Sequence, residues 1–101
     1  MKNSKIEKFI NENTYQYLEL GLGKSRESIE ELRKLLILIC EENIFQIEET
    51  LYGSGSPKTK VLTAKLCAKY ASDVLNKKNL SELIFSISIG LENSHRFVLD
   101  L

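Results

Sequence analysis

Tryptophan is absent from this 101-residue chain, proline and histidine occur once each, and cysteine occurs twice. Each scarcity excludes something. The one histidine, His95, stands near the end with no Cys or Ser arrangement around it, so no nucleophile–histidine set can be assembled. Glu41-Glu42 and Glu48-Glu49 could suggest a carboxylate metal site in a bundle, but such sites use Glu-x-x-His on facing helices, and no such motif occurs. Cys40 and Cys67 lie inside apolar helical patterns without close metal-ligand spacing, and are expected as free thiols inside the fold, in a reducing compartment. Net charge is lacking too: 14 basic residues cancel 14 acidic ones, which argues against general nucleic-acid binding. No apolar run approaches the roughly 20 residues of a membrane-spanning helix. Behind the basic start Met1-Lys2-Asn3-Ser4-Lys5, residues Glu7, Asn11, Glu12 and Asn13 interrupt any secretory apolar region. A cytoplasmic protein is expected, with no cofactor.

What is present suits one compact core. With 43% hydrophobic and 28% charged residues, residues 1–101 read as a single helical-bundle domain, large enough to fold without metal or disulfides. Its centre is Leu35-Leu36-Ile37-Leu38-Ile39-Cys40. Six apolar residues in succession cannot share one face of a surface helix, so this run is expected as a central rod covered on more than one side.

Four helices are predicted. In the first, residues 4–20, Ile6, Phe9, Ile10, Asn13, Tyr17 and Leu20 recur at spacings of three and four, Asn3 or Ser4 can cap, and Gly21-Leu22-Gly23 ends it. In the second, Ser25 or the capping box Ser28-x-x-Glu31 opens a stripe of Ile29, Leu32, Leu36 and Ile39. Ile44, Ile47 and Leu51 continue that spacing, which favours one helix to about Tyr52 over two broken near Asn43. Gly53-Ser54-Gly55-Ser56-Pro57 then reads as a turn, with Ser56 as cap and Pro57 as first helical residue. It is not a phosphate loop, because Pro57 and Tyr52 stand where that loop needs glycine.

The third helix, residues 57–75, repeats Val61, Ala64, Ala68, Ala71 and Leu75, with Cys67 and Val74 beside them. Its outer face is expected to hold Lys58, Lys60, Lys65 and Lys69, and Lys77 and Lys78 follow in the turn. Asp73 is the one acid among residues 57–78. Such a face is either simply solvated or turned to an acidic or membrane-proximal partner. Asn79 and Glu82 form a capping box for the fourth helix, whose stripe is Leu80, Leu83, Ile84, Ile87 and Leu91. Phe85, Ile87, Ile89 and Leu91 also alternate as a strand would, but the cap and the lack of a partner strand decide for helix. The apolar tail after Asn93 either folds back or extends that helix.

The expected architecture is therefore all-α, an antiparallel four-helix bundle with a short C-terminal tail. This order, with Ile29-Glu30-Glu31-Leu32-Arg33-Lys34-Leu35-Leu36 in the second helix, the Gly53–Pro57 turn, the lysine-bearing third helix and Asn79-Leu80-Ser81-Glu82-Leu83 opening the fourth, resembles the class II (pediocin-like) bacteriocin immunity proteins of the enterocin A immunity group over nearly the whole length. The resemblance implies a cytoplasmic, non-catalytic bundle that protects the producing cell at the membrane sugar-transporter permease or its bacteriocin complex. It further implies a monomer or weak dimer, with peripheral membrane association, and recognition by the C-terminal half. Carried onto this chain, that surface comprises Lys65, Lys69, Lys77, Lys78, His95, Arg96 and Phe97. The alternative from another class is a small helical regulatory or phage-encoded adaptor that docks on a cytosolic protein. An Ile- and Lys-rich composition without tryptophan fits a Gram-positive source of low GC content.

Overall fold

The computed structural model describes residues 4–13, 25–53 and 55–100, with side chains for all of these but 25–28 and 95–100. The described chain is all-helical, with no strand, in five helices: α1 (Ser4–Asn13), α2 (Ser25–Cys40), α3 (Ile44–Leu51), α4 (Pro57–Asp73) and α5 (Lys78–Asp100). The strand-like alternation at Phe85–Leu91 is thus helix. One apolar cluster joins residues of all five.

α1 buries Ile6, Phe9, Ile10 and Asn13, the expected stripe. The Asn13 amide donates to the Phe9 carbonyl (2.8 Å), so its burial leaves no donor stranded. The predicted extension through Tyr17 to Leu20 and the glycine stop at Gly21 and Gly23 lie outside the described residues. α2 begins at Ser25, which places Ser28 inside the helix and overturns the Ser28–Glu31 capping box. The apolar run behaves as its composition requires. Leu32, Leu35, Leu36 and Ile39 are buried, and Ile37 and Leu38 are half-buried against the same cluster.

The single helix expected from Ile29 to Tyr52 is in fact two. Glu42 adopts a left-handed backbone (φ 55°), its amide donates to the Ile39 carbonyl, and the Asn43 amide donates to the Leu38 carbonyl (2.9 Å). This paired closure is a Schellman ending, here formed without glycine at a cost of roughly 1 kcal/mol. The Asn43 side chain then caps α3 by accepting from the Gln46 amide (3.3 Å). The re-aimed α3 sends Ile47 and Leu51 into the core.

Ser56 occupies the N-cap position of α4 and Pro57 its first turn, as expected, although the Ser56 side chain makes no capping bond. α4 buries Ala64, Leu66, Cys67, Ala68, Tyr70 and Ala71, and so shares the centre that α2 was expected to hold alone. It meets α2, α3 and α5, and Tyr70 packs edge-on against Phe9 of α1, with ring centroids 5.1 Å apart. The helix ends at Asp73, two residues early, and Asn76 (φ 55°) makes the turn. α5 opens at Lys78, so Asn79 lies inside it and the Asn79–Glu82 box is also overturned. Residues beyond Asn93 continue α5 to Asp100 where a separate tail was one expectation.

Two further expectations fail. Lys60, assigned to the outer face, is 5% exposed. It lies one turn before Ala64 on the buried stripe, where its ammonium meets the Glu31 carboxylate and donates to the Thr50 carbonyl (2.9 Å). Gly55 closes over it: a Cβ there would stand 2.7 Å from Lys60 Cε, on a backbone of φ 143°. Cys40, expected inside, is exposed at the end of α2, with its sulfur 3.7 Å from the Tyr70 hydroxyl; Cys67 is buried.

Candidate functional site

α4 and α5 run antiparallel, as the Ser81 hydroxyl bond to the Ala68 carbonyl (2.7 Å) and the Lys65–Glu92 approach (3.7 Å) show together. Ala68, Ser72 and Ser81 are small, so the two helices come close and leave an open groove of about 510 Å³ above them. Lys65 and Lys69, one turn apart on α4, form one wall; Glu82, Phe85 and Ser86 of α5 form the other. Lys65 reaches Glu92 only at the limit of an ion pair between half-exposed side chains, a contact worth about 0–1 kcal/mol. Lys69 has no ion pair among the described residues. Phe85 is 47% exposed and Ile89, one turn on, 44%.

The other sequence-assigned residues are placed elsewhere. Lys77 is drawn to Glu42, tying the start of α5 to the α2–α3 turn. Lys77 and the exposed Lys78 line a separate hollow of about 480 Å³ with Glu42, Asn76, Asn79 and Leu80. His95, Arg96 and Phe97 fall in the last turns of α5, and their side chains lie outside the described residues. So the structure brings Lys65 and Lys69 together, and sets Lys77 and Lys78 apart from them. Sequence reasoning missed Phe85. The signal was its position off the Leu80–Ile84–Ile87–Leu91 stripe, where an aromatic ring must face outward.

α3 carries a second exposed surface of opposite character. Phe45 is 76% exposed and Tyr52 59%. Glu41, Glu42, Glu48 and Glu49 accompany them, and residues 41–52 contain no Lys or Arg.

Elsewhere, pairing and burial act on a few ionisable groups. Arg33 holds the Glu7 carboxyl below its ordinary range, chiefly through their hydrogen bonds (2.8 and 3.1 Å), and this pins α1 to α2. Burial, then the charge of Glu31, pushes the Cys67 thiol up, away from thiolate chemistry. Burial likewise pushes the Tyr70 hydroxyl up, helped by Cys40. Among the described residues no cluster of three His, Cys, Asp or Glu side chains could hold a metal ion, and no helix is long and apolar enough to cross a membrane. Two ammonium groups one turn apart beside an aromatic face suit a partner carrying acidic and apolar groups.

No family model, curated protein or solved structure matches the chain.

Proposed function

We propose that the chain is a cytoplasmic immunity protein of the class II bacteriocin type, a non-catalytic binder acting at the receptor sugar-transporter permease or its bacteriocin complex. In this reading α1, α2 with its continuation α3, α4 and α5 form one antiparallel four-helix bundle. The α4–α5 face is its recognition surface, extended by Lys77, Lys78, His95, Arg96 and Phe97. The observation that carries the reading is the groove, where Lys65 and Lys69 stand beside the half-exposed Phe85 with no tight carboxylate partner among the described residues. Lysines there would also favour the cytosolic face of a transporter in anionic lipid, each adding about 1 kcal/mol near the surface.

The test is protection of a sensitive Gram-positive strain against a panel of bacteriocins. Lys65→Glu with Lys69→Glu should abolish protection while helical content and thermal stability stay near the parent's, because both side chains are exposed. Full protection by that variant, or no protection by the parent against any bacteriocin, refutes the reading. A second reading, a regulatory or phage-encoded adaptor docking on a cytosolic protein, is favoured by the exposed Phe45 and Tyr52, which the immunity reading leaves unused. A bacteriocin precursor gene with a double-glycine leader beside this one would favour the first.

A further inference from the structure

Two surfaces of this molecule complement each other. The α4–α5 groove offers Lys65 and Lys69 beside Phe85, with Ala68 as its floor and one acid, Glu82, on the facing wall. The outward face of α3 offers the exposed Phe45 and Glu49 and the half-buried Glu48, and neither acid has an ion pair among the described residues.

One molecule cannot join its own two faces. Phe85 lies on the edge of α5 that meets α4. Gly90 lies on the edge turned to Tyr52, the residue just past α3, whose hydroxyl is 3.9 Å from the place a Gly90 Cβ would take. Five residues at about 100° each set those edges about 140° apart around the helix. Two molecules can join them, head to tail.

We propose that a second copy of this chain docks its α3 face into the α4–α5 groove. Phe45 covers Phe85 and Ala68, and Glu48 and Glu49 reach Lys69 and Lys65. The occupant is argued from charge and from what is left uncovered. Among the described residues Lys65 is loosely paired and Lys69 has no ion pair, and the exposed Phe45 and Glu49 with the half-buried Glu48 stand on the same chain. The contact is heterologous, so it propagates into rings or short chains and does not stop at a two-fold dimer. Because it is small and rests on exposed charges, it weakens with salt. It occupies the groove assigned above to a partner, so assembly and partner binding exclude each other. The inference does not depend on the immunity reading.

The experiment is sedimentation velocity of the full chain from micromolar to millimolar concentration, at low and at high salt. The parent should assemble with rising concentration at low salt. Lys65→Glu/Lys69→Glu alone, and Glu48→Lys/Glu49→Lys alone, should each raise the concentration for half-assembly at least ten-fold, with circular dichroism confirming parent-like helix. An equimolar mixture of the two should assemble again, since the acidic α3 of the first meets the untouched groove of the second, and the basic α3 of the second meets the acidic groove of the first. Phe45→Ser should weaken assembly with only slight salt dependence. A parent that stays monomeric throughout, variants that assemble like the parent, or a mixture that fails to recover overturns the proposal. Loss of protection without loss of assembly, or the reverse, separates this result from that of the protection assay.

Discussion

Replacing Lys60 by methionine is the sharpest probe of how this core is joined. The stem keeps nearly its volume, but the ammonium that satisfies the Glu31 carboxylate and the Thr50 carbonyl is lost. Stranding one member of a fully buried ion pair costs about 3–5 kcal/mol. The Glu31 side chain is 33% exposed, however, so its carboxylate regains water and the cost falls. What remains is chiefly the hydrogen bond from a charged donor to Thr50, worth about 1.5–3 kcal/mol. A net loss of about 2 kcal/mol follows, and for a domain of this size that lowers Tm by about 10 °C. Adding Glu31→Gln should recover part of the loss, because no charge is then left without its partner. Thermal melting by circular dichroism, with urea titration as a check, measures both variants. A Lys60→Met protein melting within about 2 °C of the parent would mean that Lys60 sits on a solvated face, and the ion-pair reasoning would be wrong.

Leu36→Ala should cost about 2–5 kcal/mol in urea denaturation, since Leu36 is fully buried in the cluster; a loss well under 1 kcal/mol would contradict that burial. In native protein a disulfide reagent should titrate Cys40 rapidly and Cys67 only after unfolding, two thiols in all; none in unfolded, unreduced protein would reveal a disulfide. Glu7→Gln should narrow its stability gap to the parent as pH falls. A carboxyl held low by Arg33 contributes fully above the ordinary glutamate range and loses its contribution as pH drops through its lowered value. Melting temperatures from neutral to acid pH follow the gap, and one of constant size would exclude the Glu7–Arg33 contribution.

Helical periodicity made much of the core legible. Ile6, Phe9 and Ile10, the Leu32–Ile39 stripe and the alanines of α4 are buried where spacing put them. The break at 41–43 was hidden because no glycine or proline marks it: a glutamate takes the left-handed position, and backbone bonds do the closing. Capping-box patterns at Ser28 and Asn79 misled for a related reason, since the same residue types are tolerated inside a first turn. Lys60 was read by type and not by register. Its place one turn before Ala64 put it on the buried stripe, but only the fold shows the carbonyl and carboxylate that make burial tolerable. Of the proposed recognition surface, the pairing of Lys65 with Lys69 was legible from their spacing. The groove beneath them was not, because it depends on where α5 crosses.

The edge-on contact of Tyr70 with Phe9 spans the chain from one end to the far side of the core, whereas α4 and α5 meet across a turn of only residues 74–77. Short-range pairings form early and long-range ones late, because closing a long loop sacrifices more chain entropy. The α4–α5 hairpin should therefore form first, ahead of the longer closures that bring Cys40 of α2 and Phe9 of α1 onto Tyr70. In hydrogen exchange the amides of α1 should open on their own, well before those of α4. Tyr70→Leu should loosen α1 and also remove the contact with Cys40 of α2. The far partner of that ring, α1, is held by Ile6, Phe9 and Ile10 in the shared cluster and by Arg33 reaching over from α2.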